Sequence, residues 1–122
     1  MSARFITKSI HAYLDYPVAL VLIAMPFLLQ LGTGNPIAFW LSVVTGVAAF
    51  ILTVLTDHHL GIIRVLPYSL HLVVDGLVGV TFVAAPLVLG FVGIEFWYYM
   101  VLGLTVLAVV GLHQPEEKIA LA

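Results

Sequence analysis

The sequence predicts an all-α integral membrane protein in which four transmembrane helices form two tandem hairpins. The chain of 122 residues is 63% hydrophobic and 8% charged, with a mean hydropathy of +1.22. A soluble domain of this size needs far more charge to cover its surface. The apolar runs are about 20 residues long, enough to cross a hydrocarbon core of roughly 30 Å. The chain also repeats itself at an offset of 60 residues, which indicates two copies of one two-helix unit.

The repeat determines how the two halves are related. Because each unit contains two spans, both copies enter the membrane in the same direction, and an axis along the membrane normal relates them. We therefore expect a bundle with pseudo-two-fold symmetry. The residues that recur include Ser9, His11, Asp15 and Pro26 in the first unit and Ser69, His71, Asp75 and Pro86 in the second.

The chain divides into five segments. These are an N-terminal lead-in (1–9), the first repeat (10–56), an interfacial connector (57–67), the second repeat (68–113) and a tail (114–122). The four spans are predicted at about 10–31, 36–55, 68–91 and 96–112. Asn35 before Pro36 is typical of a helix N-terminus, with the asparagine as cap and the proline at the first helical position.

The charged residues predict the orientation in the membrane. Four spans place both termini and the connector on one side, and all four basic residues of the chain fall on that side. The positive-inside rule therefore predicts a cell-membrane protein with both termini cytoplasmic. On the opposite side we expect Glu95 to be solvated.

Composition also restricts partners and chemistry. The net charge of −2 and the absence of a basic stripe argue against nucleic acid as a partner. Without cysteine the chain has no disulfide framework and no thiol nucleophile. We find no catalytic motif, so nothing in the sequence indicates an enzyme. The lipid bilayer is the expected partner, together with further copies of the chain, since 122 residues leave little interior for a pathway.

The second repeat resembles a known family. Residues 75–79 (Asp-Gly-Leu-Val-Gly) are followed by residues 84–91 (Ala-Ala-Pro-Leu-Val-Leu-Gly-Phe) and an aromatic-led helix. This pattern is similar to the SPW-repeat membrane proteins, which consist of two-helix units, occur mostly in prokaryotes and have no established activity. The resemblance covers residues 9–112 and implies the fold, but no chemistry. At the Ser-Pro-Trp positions only Pro26 and Pro86 are kept.

Paired histidines and aspartates are the candidate functional residues. His11 and Asp15 are four residues apart and share a helix face, and His71 and Asp75 repeat the pattern. Two such faces can converge to hold a divalent metal such as Zn²⁺, and two histidines can bind haem from both sides. The spacing favours a structural polar network that joins the hairpins, with a proton relay and a metal or haem site as alternatives.

The remaining candidates are three histidines and two prolines. His58, His59 and His113 are predicted at the cytoplasmic ends of the second and fourth helices. There they either form a vestibule that titrates near neutral pH or interact with the last helix carbonyls. Pro26 and Pro86 each free the carbonyl four residues earlier and are predicted to kink their helices for packing. Ser9 and Ser69 are predicted to cap the first and third helices.

The predicted orientation can be tested with a reporter domain fused after Ala122. We expect the reporter to be cytoplasmic, because the basic residues all lie on the side of the C-terminus. A second fusion, inserted in the turn at residues 32–35, provides the matched control and is expected on the opposite side. Reporter activity on the same side for both fusions contradicts the four-span topology.

Overall fold

The computed structural model describes residues 7–56, 61–63 and 65–113. These residues form four α-helices: α1 (Lys8–Leu28), α2 (Pro36–Leu55), α3 (Tyr68–Leu89) and α4 (Ile94–Gly111). Each helix is long and apolar enough to cross a membrane. The prediction of an all-α integral membrane fold is confirmed.

The helices pair as two hairpins, α1 with α2 and α3 with α4. Glycines allow the close approach within each pair. A Cβ atom on Gly46 of α2 would lie 2.7 Å from the Cγ1 atom of Ile23. A Cβ atom on Gly103 of α4 would lie 2.8 Å from the Cγ2 atom of Val83. Small residues serve this purpose in membrane bundles, where lipid gives helices no hydrophobic reason to associate.

The helix N-termini differ in part from the prediction. The Asn35 side chain accepts a hydrogen bond from an amide in the first turn of α2, as predicted. The roles predicted for Ser9 and Ser69 are wrong. Thr7 caps α1, and Pro67 precedes α3 without a side-chain cap. Both helices begin two residues earlier than a serine cap would require.

Pro26 and Pro86 lie inside α1 and α3, and both are buried. Pro26 leaves the carbonyl of Leu22 without its helical partner. The Ser42 hydroxyl on α2 donates to that carbonyl at 2.7 Å. Because the single Ser42 proton is used there, the Tyr98 hydroxyl donates to Ser42 Oγ at 2.6 Å. The proline thus creates an acceptor that helps link both hairpins.

Tyr99 provides a second link at this end of the bundle. Its hydroxyl donates to the Ala38 carbonyl at 2.6 Å, and its side chain is fully buried. The Phe82 and Phe91 rings lie 4.6 and 5.1 Å from its ring, measured between centroids. The main apolar core of the described residues therefore lies beside this hydroxyl–carbonyl contact.

Glu95 makes the third link, and its predicted solvation is wrong. The residue is only 4% exposed. Its Oε2 atom accepts hydrogen bonds from the amides of Gly32 (2.7 Å) and Gly34 (3.3 Å). Both amides belong to the turn of the first hairpin, where Gly32 adopts a positive φ of 98°. The turn thus presents its donors to a carboxylate on the other hairpin.

Replacing Glu95 by leucine is expected to lower the free energy of unfolding by about 2 kcal/mol, because two amides lose a charged acceptor. The measurement is thermal unfolding of the purified protein in detergent. Glu95→Gln is the matched control and should lose less, since it keeps one side-chain oxygen. Equal melting of the leucine variant and the unmodified protein would show that this contact contributes nothing.

Candidate functional site

Four side chains meet at the end of the bundle opposite Glu95. His11 and His71 are each the fourth residue of their helix, in α1 and α3. Asp15 and Asp75 follow one turn further into each helix. The sequence repeat therefore places two equivalent pairs at equal depth. One potential ligand atom from each of the four lies within 4.8 Å of all the others.

The four residues form a crossed set of contacts, which we call the His–Asp cluster. His11 Nε2 lies 3.0 Å from Asp15 Oδ1 and 2.8 Å from Asp75 Oδ2. His71 Nε2 lies 3.1 Å from Asp15 Oδ2 and 3.2 Å from Asp75 Oδ2. Each imidazole therefore contacts the carboxylate on its own helix and the carboxylate of the other repeat.

The cluster is largely shielded from solvent. Both imidazole side chains are 2% exposed, while Asp15 is 10% and Asp75 18% exposed. Carboxylates are rarely buried unless they are paired with positive charge or bind a metal. Because Asp15 and Asp75 contact the same two imidazoles, their negative charges need to be balanced by protonated imidazoles or by a metal ion.

Thr56 determines which nitrogen of His71 carries a hydrogen. Its hydroxyl donates to the Leu52 carbonyl at 2.6 Å. The hydroxyl can therefore only accept from His71 Nδ1, which lies 2.7 Å away. With Nδ1 protonated, Nε2 of His71 faces the carboxylates either with a second proton or with a lone pair that a cation can bind.

Sequence reasoning missed Thr56. The residue follows the end of α2 and belongs to no repeated pattern around the histidines. It lies near His71 where residues 65–66, just before α3, fold back onto the end of α2. The amides of Val65 and Leu66 both donate to the Leu55 carbonyl, at 3.0 and 2.9 Å. Nothing in the local sequence predicts these contacts with the end of α2.

The surroundings of His11 are aromatic. Its ring packs edge-on against Tyr68 and His113, with centroids 5.8 and 6.0 Å away. Its Nδ1 atom is buried and has no hydrogen-bond partner among the residues that the structure describes. Of the three other candidate histidines, His113 thus lies beside the cluster. His58 and His59 fall outside the described residues.

The family comparison covers both hairpins. The sequence profile of the SPW repeat domain matches residues 9–114. The chain belongs to the SPW repeat family. All four members of the His–Asp cluster lie within the matched residues of this SPW-repeat protein. The comparisons found no matching curated protein and no matching solved structure.

Asp15→Asn is expected to lower the free energy of unfolding of the SPW-repeat protein by about 3 kcal/mol. The change removes one charge from a buried ionic group and leaves the imidazoles incompletely compensated. Thermal unfolding in detergent is the measurement. An unchanged melting temperature would mean that the cluster does not join the hairpins.

The role of Thr56 can be tested with Thr81 as the matched control. The hydroxyls of Thr56 and Thr81 each donate to the carbonyl four residues earlier, but only Thr56 also accepts from a histidine. Thr56→Val should therefore cost about 1 kcal/mol, and Thr81→Val much less. Equal effects of the two substitutions would contradict the positioning role of Thr56.

Proposed function

We propose that this SPW-repeat protein binds one divalent cation of the Zn²⁺ type in the His–Asp cluster and thereby joins its two hairpins. The observation that supports the proposal is the convergence of two imidazole nitrogens and two carboxylates within 4.8 Å. Each repeat supplies one nitrogen and one carboxylate. Nitrogen and oxygen ligands in a set of four suit tetrahedral Zn²⁺.

The distances fit such an ion. Zinc–ligand bonds of about 2.0–2.2 Å at tetrahedral angles separate neighbouring ligand atoms by about 3.3–3.6 Å. The nitrogen–oxygen distances in the cluster run from 2.8 to 3.2 Å, as expected for atoms that share protons. His11 contacts Oδ1 of Asp15 and His71 contacts Oδ2, so one ion would require these contacts to open by a few tenths of an ångström and Asp15 to turn its carboxylate toward the ion.

The charges balance in both states. Two carboxylates are neutralised either by two protonated imidazoles or by one divalent ion bound to two neutral imidazoles. Exchange between these states leaves the net charge of the buried cluster unchanged, so it avoids the cost of an isolated charge in an apolar environment. Because the ion displaces protons, its affinity should increase with pH.

Thr56 also supports a metal site. Histidine ligands commonly donate from their second ring nitrogen to a neighbouring acceptor, which fixes the tautomer and orients the ring. His71 has this arrangement through its 2.7 Å contact with the Thr56 hydroxyl.

Haem fits the cluster less well than a simple ion. An iron porphyrin would have to lie between the two imidazoles. The carboxylates of Asp15 and Asp75 occupy that space, which favours a simple ion.

The position of the cluster suggests an accessory role in the membrane. It lies at the N-terminal ends of α1 and α3, which we place at the cytoplasmic surface because the basic residues lie on that side. Asp75 is the most exposed member, at 18%. An ion bound there holds the two repeats together and makes their packing depend on its supply.

Zinc is expected to bind metal-free protein with one ion per chain. It should raise the melting temperature in detergent, since binding at about 100 times the dissociation constant stabilises the folded state by about 2.7 kcal/mol. The effect should grow with pH. The double variant His11→Ala, His71→Ala should lose both binding and stabilisation. Isothermal calorimetry and thermal unfolding measure the two quantities.

His113→Ala is the matched control, because this ring lies next to His11 but outside the set of four ligands. It should keep the response to zinc. Protein that neither binds zinc nor gains stability from it would overturn the metal site. The cluster would then be a network held by protons alone.

A further inference from the structure

A cavity of about 400 Å³ lies next to the His–Asp cluster, lined by residues from all four helices. It lies between the two ends at which polar contacts join the hairpins. One end is the cluster, and the other contains the contacts of Glu95, Tyr98 and Tyr99. Away from the cluster the lining consists mainly of valine, leucine, alanine and threonine.

We propose that this cavity binds one acyl chain of a membrane phospholipid from the leaflet on the side of the His–Asp cluster. The proposal is independent of the metal site, because it depends on the apolar walls of the cavity and not on what neutralises the carboxylates. The acyl chain would pack between the hairpins along the stretch where no hydrogen bond joins their described residues.

The chemistry of the walls selects a hydrocarbon. Three threonines line the cavity. The hydroxyls of Thr53 and Thr105 donate to carbonyls of their own helices, at 2.8 and 2.7 Å, so their single protons are already used, and Thr45 contributes one further uncharged hydroxyl to the wall. The strongly polar lining is then confined to the cluster at one end. Apolar cavities hold water poorly and bind apolar ligands instead. If the cavity were unfilled, the side chains that line it would lack van der Waals contacts on one side, which lowers stability.

The shape of the cavity selects a single chain. Along α1 it extends from His11 to Leu22, a distance of about 16 Å at 1.5 Å per residue. A volume of about 400 Å³ over this length gives a mean cross-section of about 25 Å², which is narrow for a ring system. A methylene group takes up about as much space as a water molecule, about 30 Å³, so the cavity has room for roughly 13 methylene groups in a row.

The opening of the cavity faces the bilayer. Four residues of its lining, Leu14, Val44, Ala48 and Thr105, are exposed. They lie in the interior of α1, α2 and α4, more than one turn from either helix end. At that depth a transmembrane helix is surrounded by hydrocarbon. A lipid chain can therefore enter laterally, without passing the cluster.

The test uses one substitution inside the cavity and one outside it on the same helix. Ala49 lines the cavity, whereas Val47 is exposed and does not line it. Native mass spectrometry of delipidated protein should show one retained phospholipid for the unmodified chain. Ala49→Phe should reduce this occupancy at least tenfold, and Val47→Phe should leave it unchanged. Val109→Phe, from the other hairpin, should act like Ala49→Phe.

Thermal unfolding shows whether the variants fold. Ala49→Phe and Val109→Phe should melt cooperatively without lipid, because the added ring fills the space. Single-chain phospholipids added back should stabilise only the unmodified protein and Val47→Phe, best at about 12 to 14 carbons.

Equal lipid retention by all variants would overturn the proposal, since the lipid would then be bound on the outer surface. A dimer that Ala49→Phe converts to a monomer would overturn it as well, since a second copy would then fill the cavity. The lipid comparison is made with metal-free protein, and the zinc measurements with the His11→Ala, His71→Ala variant do not involve the cavity substitutions, so the two proposals fail separately.

Discussion

Two carboxylates buried close together within a membrane protein must be neutralised, and the rest of the bundle depends on how this is achieved. Each imidazole of the His–Asp cluster contacts one aspartate on its own helix and one on the other repeat. Each hairpin has one imidazole and one carboxylate in contact, and the two contacts between repeats are added only when the hairpins meet. The cluster therefore favours packing of the two repeats, because its full set of contacts forms only between them.

The opposite end of the bundle is joined in a different way. There the contacts are asymmetric, since α4 supplies Glu95, Tyr98 and Tyr99 and the first hairpin supplies their partners. At the equivalent positions the first repeat has Asn35, Ala38 and Phe39. One end has thus kept the symmetry of the repeat, whereas the other has lost it and gained specific hydrogen bonds.

The sequence predicted the features that follow from periodicity. Apolar run lengths gave the four helices, and the spacing of four residues between His11 and Asp15, repeated after 60 residues, indicated that two equivalent faces exist. The contacts that were missed join residues far apart in sequence. Glu95 binds a turn more than 60 residues earlier, and Thr56 contacts its histidine where residues 65–66 fold back onto the end of α2. Local patterns carry no information about such partners.

The separation of the two junctions has a mechanical consequence. The hairpins are linked at the cluster and, at the opposite end, through Glu95, Tyr98 and Tyr99, with the cavity between these two junctions. If the cluster opens, the contacts of the far junction still hold the hairpins together, and the second hairpin can tilt about that end. A small spreading at the membrane surface would then widen the gap between the hairpins along its length while the far end stays closed.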